Sequence, residues 1–296
     1  MLRYDTKILR ERAGVRDHSA PPRLLPPQHA GNTSRPGGVG CQRTAAERPR
    51  RPPMAKPGRN RPATAKEDNR LLAALDGSER KRLQPQLEPV TLGYGEVLFE
   101  PRQEITHAYF VRRGVVAAVR DLGRGDGIAV ASVGSEGMIG TSLVLGERTT
   151  ASRALVHIAG SALRIEADVL LGALARLPGW RRLLQRYARA LLNQVAQTAA
   201  CNLLHTVDER CAKWLLLTHD RVGRPSFALP RELLAQMLGV RRPAASLAAG
   251  MLQRAGAITY IRGHVVVVDR VALEAISCAC YWAILAEYQG LLRRAP

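Results

Sequence analysis

Residues 231–256, RELLAQMLGVRRPAASLAAGMLQRAG, read as two short helices joined by one tight turn, and no other stretch restricts the fold as much. Leu234, Leu238, Val240, Ala245 and Ala248 stand where two steeply crossed helices bury side chains. Ala235 is small enough to admit the second helix. Gly239 supplies the turn, because a residue without a Cβ enters the left-handed region at a helix end at little cost. The second helix opens at Arg241-Arg242-Pro243, with proline in the first turn, where a missing N–H does no harm. Such a pair is either a structural hairpin of an all-α protein or a unit whose second helix enters the major groove of DNA.

The flanks favour the second reading. Directly downstream, AITYIRGHVVVVDR carries two β-rich runs, 258–261 and 265–268, around Arg262-Gly263-His264. Short β-rich runs about a glycine-containing loop predict a hairpin. A helix pair followed at once by a basic-tipped hairpin is a winged arrangement, whose wing tracks the phosphate backbone.

Charge points the same way. The formal charge of +19 favours a polyanionic partner, nucleic acid or an acidic membrane surface. Residues 1–65 hold 14 Lys or Arg against 4 Asp or Glu, so +10 of the +19 lies there. That segment also carries 10 of the 18 prolines and almost no apolar periodicity, which predicts a disordered basic tail. Met54 is an alternative start for the folded part. Between residues 224 and 262 six Arg stand against one Glu, a local +5 centred on the helix pair and its hairpin.

The remainder predicts an α+β protein. An amphipathic helix is expected over 68–83, with Leu71, Leu72, Leu75 and Leu83 on one face. From 90 to 165 short β-rich runs punctuated by glycine predict an antiparallel sandwich or barrel. Helix signals follow near Asp168 and after Pro178. In the second, Leu184, Tyr187, Leu191, Gln194, Thr198, Cys201 and His205 recur at alternating three- and four-residue steps. A seam of this kind needs cover, from its own domain or from a second copy. Self-association is the expectation, with Tyr187, Leu191, Gln194, Thr198 and Cys201 as the dimer seam. Further helices are expected over 207–220 and 269–292.

Catalysis finds no support, because neither a nucleophile–base motif, an H-E-x-x-H pair nor a phosphate loop occurs. An odd count of five cysteines, at 41, 201, 211, 278 and 280, fits a reducing cytoplasm. Cys278-Ala-Cys280 is the one close pair; lacking a second cluster in sequence, it reads as small apolar residues near a helix end rather than a metal site. No run of some 18 apolar residues predicts a membrane span.

Three phrases in this order resemble the CRP/FNR family of bacterial transcription regulators: YFVRRGVV from Tyr109, EGMIG from Glu136, and the helix pair with its continuation to Ile258. The resemblance covers about 66–275. After the disordered tail already read at 1–65, it implies a double-stranded, jelly-roll-like β-roll sensor domain at 66–178 and a dimerisation helix at 179–206. A winged helix-turn-helix with a C-terminal helix would occupy 207–296. It implies a cytoplasmic homodimer on promoter DNA, acting with RNA polymerase under an unidentified effector or none. The alternative is a small-ligand sensor or interaction protein without sequence-specific DNA binding.

Carried over residue by residue, the effector-pocket candidates are Gly140, Thr141, Ala151, Ser152 and Arg153. The Gly-Glu pair of cyclic-nucleotide-binding members reads Gly140-Thr141 here, and their Arg-Ser pair reads Ala151-Ser152. Losing the Arg forfeits a charge-assisted contact of about 1.5–3 kcal/mol to a cyclic phosphate. Arg153 lies one position on, where a strand turns its side chain to the other face. Cyclic AMP is therefore not expected. Nor is an iron–sulfur cluster, since Cys41 alone stands near the N-terminus; His107, His157 and His205 are scattered haem-ligand candidates. On the reading helix only Arg242 matches the family's best-known Arg–Glu–Arg pattern, with Pro243 and Leu247 at the other two positions. Arg242 is placed for guanine and Leu247 for a thymine methyl. Arg241 and Ser246 are placed for base or phosphate, and Arg254, Arg262 and His264 for phosphate.

Overall fold

A computed structural model describes residues 69–293, without 122 and 124–126. The tail expected over 1–65, Met54 and Cys41 lie outside the described residues. Asn69 accepts from Leu71 and Leu72 N–H, while its Nδ2 donates to Val111 O at 2.8 Å and Gly137 O at 2.7 Å. It caps α1 (Arg70–Ala73) and pins that helix to the sheet. The single helix expected over 68–83 is in fact two. Asp76 accepts from Ser78 N–H and starts α2 (Gly77–Leu83) afresh, because a side chain that bonds its own backbone competes with helix continuation.

The β-rich region folds into one six-stranded antiparallel sheet, ordered β1 (Glu88–Leu92), β6 (Arg153–Glu166), β3 (His107–Arg120), β4 (Ile128–Val133). Strand β2 (Val97–Phe99) adds to β6 and β5 (Met138–Ile139) to β3. The long pair β3–β6 runs in register from His107↔Glu166 to Val119↔Arg153, with shifts around Arg113 and Val115. Gly160 permits this, since a Cβ there would collide with the Arg113 carbonyl. Bulges of this kind bend a strand and change which face is apolar. Leu92, Val111, Val116, Val133, Ile139, Ala154, Val156 and Ala162 accordingly fill one interior. Phe110, Ala117, Val119, Met138 and Ile165 join the helices in a second.

After α3 (Thr141–Val144) and β6 come α4 (Ala167–Arg176), α5 (Pro178–Leu204) and α6 (Val207–Val222). Pro178 sits in the first turn of α5, and neither Gly nor Pro interrupts it past Gly179. Thr206 and Glu209 form a capping box that starts α6, and Gly223, at φ 65°, ends it. The chain finishes with β7 (Ser226–Ala228), α7 (Arg231–Leu238), α8 (Arg242–Arg254), β8 (Ile258–Ile261), β9 (His264–Val267), α9 (Arg270–Ile276) and α10 (Cys280–Arg293). The one helix expected over 269–292 is thus two, bent by 109°. Ser277, at ψ 146°, leaves helical geometry and makes the break. No single helix among the described residues is long and apolar enough to cross a membrane.

The seam of α5 is covered from within. Tyr187 donates to Met138 O at 2.9 Å and Gln194 to Ser132 O at 3.0 Å, and Thr198 donates to Gln194 O. Tyr288 of α10 donates to Gln194 Oε1 at 2.7 Å. Tyr187, Gln194, Thr198 and Cys201 are buried and Leu191 half-buried inside one chain. This corrects the expected dimer seam, because periodicity registers that a stripe is covered and not by what. The described residues form one compact unit.

His157 on β6 is buried, and neither ring nitrogen makes a hydrogen bond of normal geometry. Burial pushes its imidazole down to about 4, with the nearby Gln236 amide of α7 offsetting a smaller part. The unfolded chain takes up a proton near 6.5 that the folded chain refuses, so this residue's contribution is intact above pH 6.5 and is lost as pH falls towards 4. His157→Phe should flatten urea-unfolding stability across that window. An unchanged slope counts against the assignment.

Candidate nucleic-acid interface

Arg241, extended at φ −68° and ψ 150°, caps α8, which begins at Arg242 with Pro243 in its first turn. It buries Ala245, Ala248, Ala249 and Leu252 against α6 and α7, where small residues let the axes approach. Gly239, at φ 62°, turns the chain between α7 and α8, and a Cβ there would strike Ile128 of β4. The helix-turn-helix therefore rests on the sheet by its turn.

What α8 leaves outward is a stripe: Arg242, Pro243, Leu247, Met251 and Arg254, with Leu247 70% and Met251 46% exposed. Strands β8 and β9 pair antiparallel from Ile258↔Val267 to Ile261↔His264. The turn between them has Arg262 at φ 49° and Gly263 at φ 77°, a two-residue turn with both residues left-handed. Arg262 thereby occupies the exposed tip. A third strand, β7, pairs with β9 through Phe227↔Val265. Tyr260 donates to Leu229 O at 2.5 Å, Leu229 N–H to Gly263 O at 2.7 Å, and Arg231 stacks on the Tyr260 ring at 4.6 Å. Together they lash the hairpin to the start of α7.

Of the seven residues expected to meet DNA, Arg241, Arg242, Leu247, Arg254, Arg262 and His264 are exposed and Ser246 is half-buried. All belong to α8 or the hairpin. Two neighbours were missed: Glu232 of α7, ion-paired with Arg242, and Met251, whose sulfur accepts from Arg254 at 2.6 Å. The spacing 247, 251, 254 was a signal for the second.

The effector-pocket candidates are not gathered into one place. Gly140, at φ 95°, packs on Ala108 near the start of β3, with Thr141 next to it opening α3. Arg153 pairs in register with Val119 near the far end of β3, preceded by Ala151 and Ser152. Its Nε is 2.8 Å from Glu100 Oε2, and Ala151 O accepts from Arg120 at 2.9 Å. The histidines weighed as haem ligands stand on β3, on β6 and at the end of α5. His205 has other company: Cys201, Cys278 and Cys280 offer ligand atoms all within 4.8 Å of one another and of the imidazole. The Cys278-Ala-Cys280 pair read as two ordinary apolar residues thus has a second cluster, brought by the fold.

Residues 209–276 match the family model of the Crp-like helix-turn-helix domain. The matched segment spans α6 to α9 and so includes the α7–α8 pair and the β8–β9 hairpin. Solved structures extend the likeness in fold to 65–70% of the chain. A protein described as a transcriptional regulator of the CRP/FNR family from Eubacterium rectale aligns at TM-score 0.55 and 17% identity, over 70% of this chain and 96% of that one. FixK2 from Bradyrhizobium japonicum aligns at 0.52 and 19%, over 65% and 98%. The c-di-GMP-responsive global regulator CLP of Xanthomonas campestris aligns at 0.51 and 19%, over 65% and 99%. The chain has the fold of the CRP/FNR regulators, sheet and Crp-like head alike. Among curated proteins none matches the sequence.

Proposed function

We propose that the protein is a sequence-specific, double-stranded-DNA-binding regulator of transcription that reads its site as a homodimer. The outward stripe of α8, beside a hairpin tipped by Arg262, carries this reading. Arg242 and Leu247 supply the donor and apolar contacts that a major groove discriminates, while Arg254, Arg262 and His264 supply phosphate contacts. Arg242's pairing with Glu232 is no obstacle: both side chains are more than half exposed, so the pair is worth little and a guanine edge replaces it.

The dimer uses the face of α5 opposite the covered seam. Gln185, Arg189, Leu192, Ala196, Ala199 and Leu203 are all exposed and recur at alternating steps of four and three, with Leu192 at 67% and Leu203 at 87%. Small residues between two leucines let a second copy of the helix approach closely. A two-fold axis along it sets two reading helices on half-sites about one DNA turn apart.

Selection of a random DNA pool by the full-length protein tests the reading. A two-fold palindrome should emerge, with affinity that falls linearly on a log–log plot against salt. Equal binding to selected and random DNA at every salt concentration would instead favour a ligand sensor whose helix pair merely packs. Leu192→Glu with Leu203→Glu should convert dimer to monomer in sedimentation velocity and leave the circular dichroism spectrum unchanged. A double variant that still sediments as a dimer excludes this stripe.

A further inference from the structure

The C-terminal end of α5 and the break between α9 and α10 meet on four side chains that the DNA-reading function does not use. Cys201 and His205 are four residues apart, which stacks them on one face of the last helical turn. Cys278 and Cys280 flank Ala279 where the chain turns from α9 into α10. Cys201 Sγ lies 3.6 Å from Cys278 Sγ, and Cys280 Sγ lies 3.5 Å from His205 Nδ1. The three cysteines are buried and the histidine is half-buried. A tetrahedron of about 2.3 Å Zn–S bonds spaces its sulfurs about 3.8 Å apart, so these separations already approach those around a single ion. An iron–sulfur cluster divides its four protein ligands between two irons or among four, so the set as a whole needs a wider spread than 4.8 Å.

The surroundings carry the complementary charge. Lys213 is fully buried, with Nζ 3.3 Å from Cys201 Sγ. Arg210, also buried, donates to Leu238 O close by. Three thiolates around a divalent ion leave one net negative charge, which the Lys213 ammonium balances. Gln197 Nε2, 3.0 Å from Cys280 Sγ, adds the sulfur-directed donor that orients a ligand from outside the first ring of contacts.

We infer that Cys201, His205, Cys278 and Cys280 bind one divalent transition-metal ion, zinc best of all, in a closed tetrahedral site of three thiolates and one imidazole. Soft thiolates exclude magnesium and calcium, and four protein ligands leave no open position for catalysis. The ion ties the end of the long helix to the last helix pair, fixing where the Crp-like head leaves α5. The inference stands whether or not the head reads DNA.

The test is metal binding by full-length protein, stripped with EDTA under reducing conditions and titrated with Zn2+ against a chromogenic chelator. One equivalent per chain at nanomolar or tighter affinity is expected. Co2+ in place of Zn2+ should give the intense visible bands of a tetrahedral site and a thiolate-to-metal charge-transfer band in the near ultraviolet. Cys278→Ser and Cys280→Ser should each weaken Zn2+ binding at least a hundredfold, whereas Cys211→Ser, outside the cluster, should bind as before. Micromolar binding, an octahedral Co2+ spectrum, an iron–sulfur chromophore after anaerobic purification, or equal loss in Cys211→Ser would each overturn the site. The Co2+ spectrum of the unaltered protein decides the matter even where a serine variant does not fold.

Discussion

Arg221→Ala should lower the unfolding free energy by about 3–5 kcal/mol, the penalty for stripping one partner from a buried ion pair. Arg221 leaves α6 for the sheet, its Nε 2.7 Å from Glu136 Oε1 and its Nη1 2.6 Å from Ser132 Oγ, with Nη2 reaching Gln194 Oε1 at 3.5 Å. Both charged side chains are less than a tenth exposed. Its stem also occupies the place of a Cβ at residue 134, 2.5–2.9 Å from that position, which is why Gly134 stands there. Truncation leaves the Glu136 carboxylate buried beside a void. Replacing both partners, Arg221→Met with Glu136→Gln, should cost much less, since no charge is stranded. Urea unfolding of the three proteins reads this directly. A loss below about 1 kcal/mol in Arg221→Ala would show the pair to be solvated in solution.

Arg242→Ala should relax discrimination at one base pair of each half-site by about 1–3 kcal/mol, roughly tenfold to a hundredfold in relative affinity. A guanidinium reaches two acceptors of one guanine, so Arg242→Lys should not restore the preference. Arg262→Ala is the contrasting case. A phosphate contact at the hairpin tip carries no sequence information, so its loss should weaken all sites alike and reduce the salt slope by about 1. Fluorescence anisotropy on the selected site and its single-base variants, across a salt series, separates the two. An unaltered preference in Arg242→Ala would falsify its reading role.

The Crp-like head was legible in the sequence because every local signal agreed. Gly239 ended one helix, Pro243 began the next, and Leu234, Leu238, Ala245 and Ala248 marked the buried face. Arg262-Gly263 gave the hairpin turn. The two helices expected as single runs, 68–83 and 269–292, broke at Asp76 and Ser277, where side-chain capping and extended backbone interrupt a pattern that stays apolar throughout. Strand β7 went unseen, being three residues long and held by β9 rather than by propensity.

The amino-acid sequence by itself determined the elements and their chemistry: a glycine-punctuated sheet, a long uninterrupted helix, and a basic winged helix pair with Arg242 outward. These depend on interactions within a few residues, so periodicity and caps register them. Which side of α5 is covered, which cation meets Glu136, and that Cys201 and His205 meet Cys278 and Cys280, only the tertiary structure decided. Those pairings of charge and of cysteine with histidine join residues 73 to 85 positions apart along the chain, from His205 with Cys278 to Arg221 with Glu136. Local spacing is blind to contacts that exist only once the sheet and the last two helices have closed on the long one.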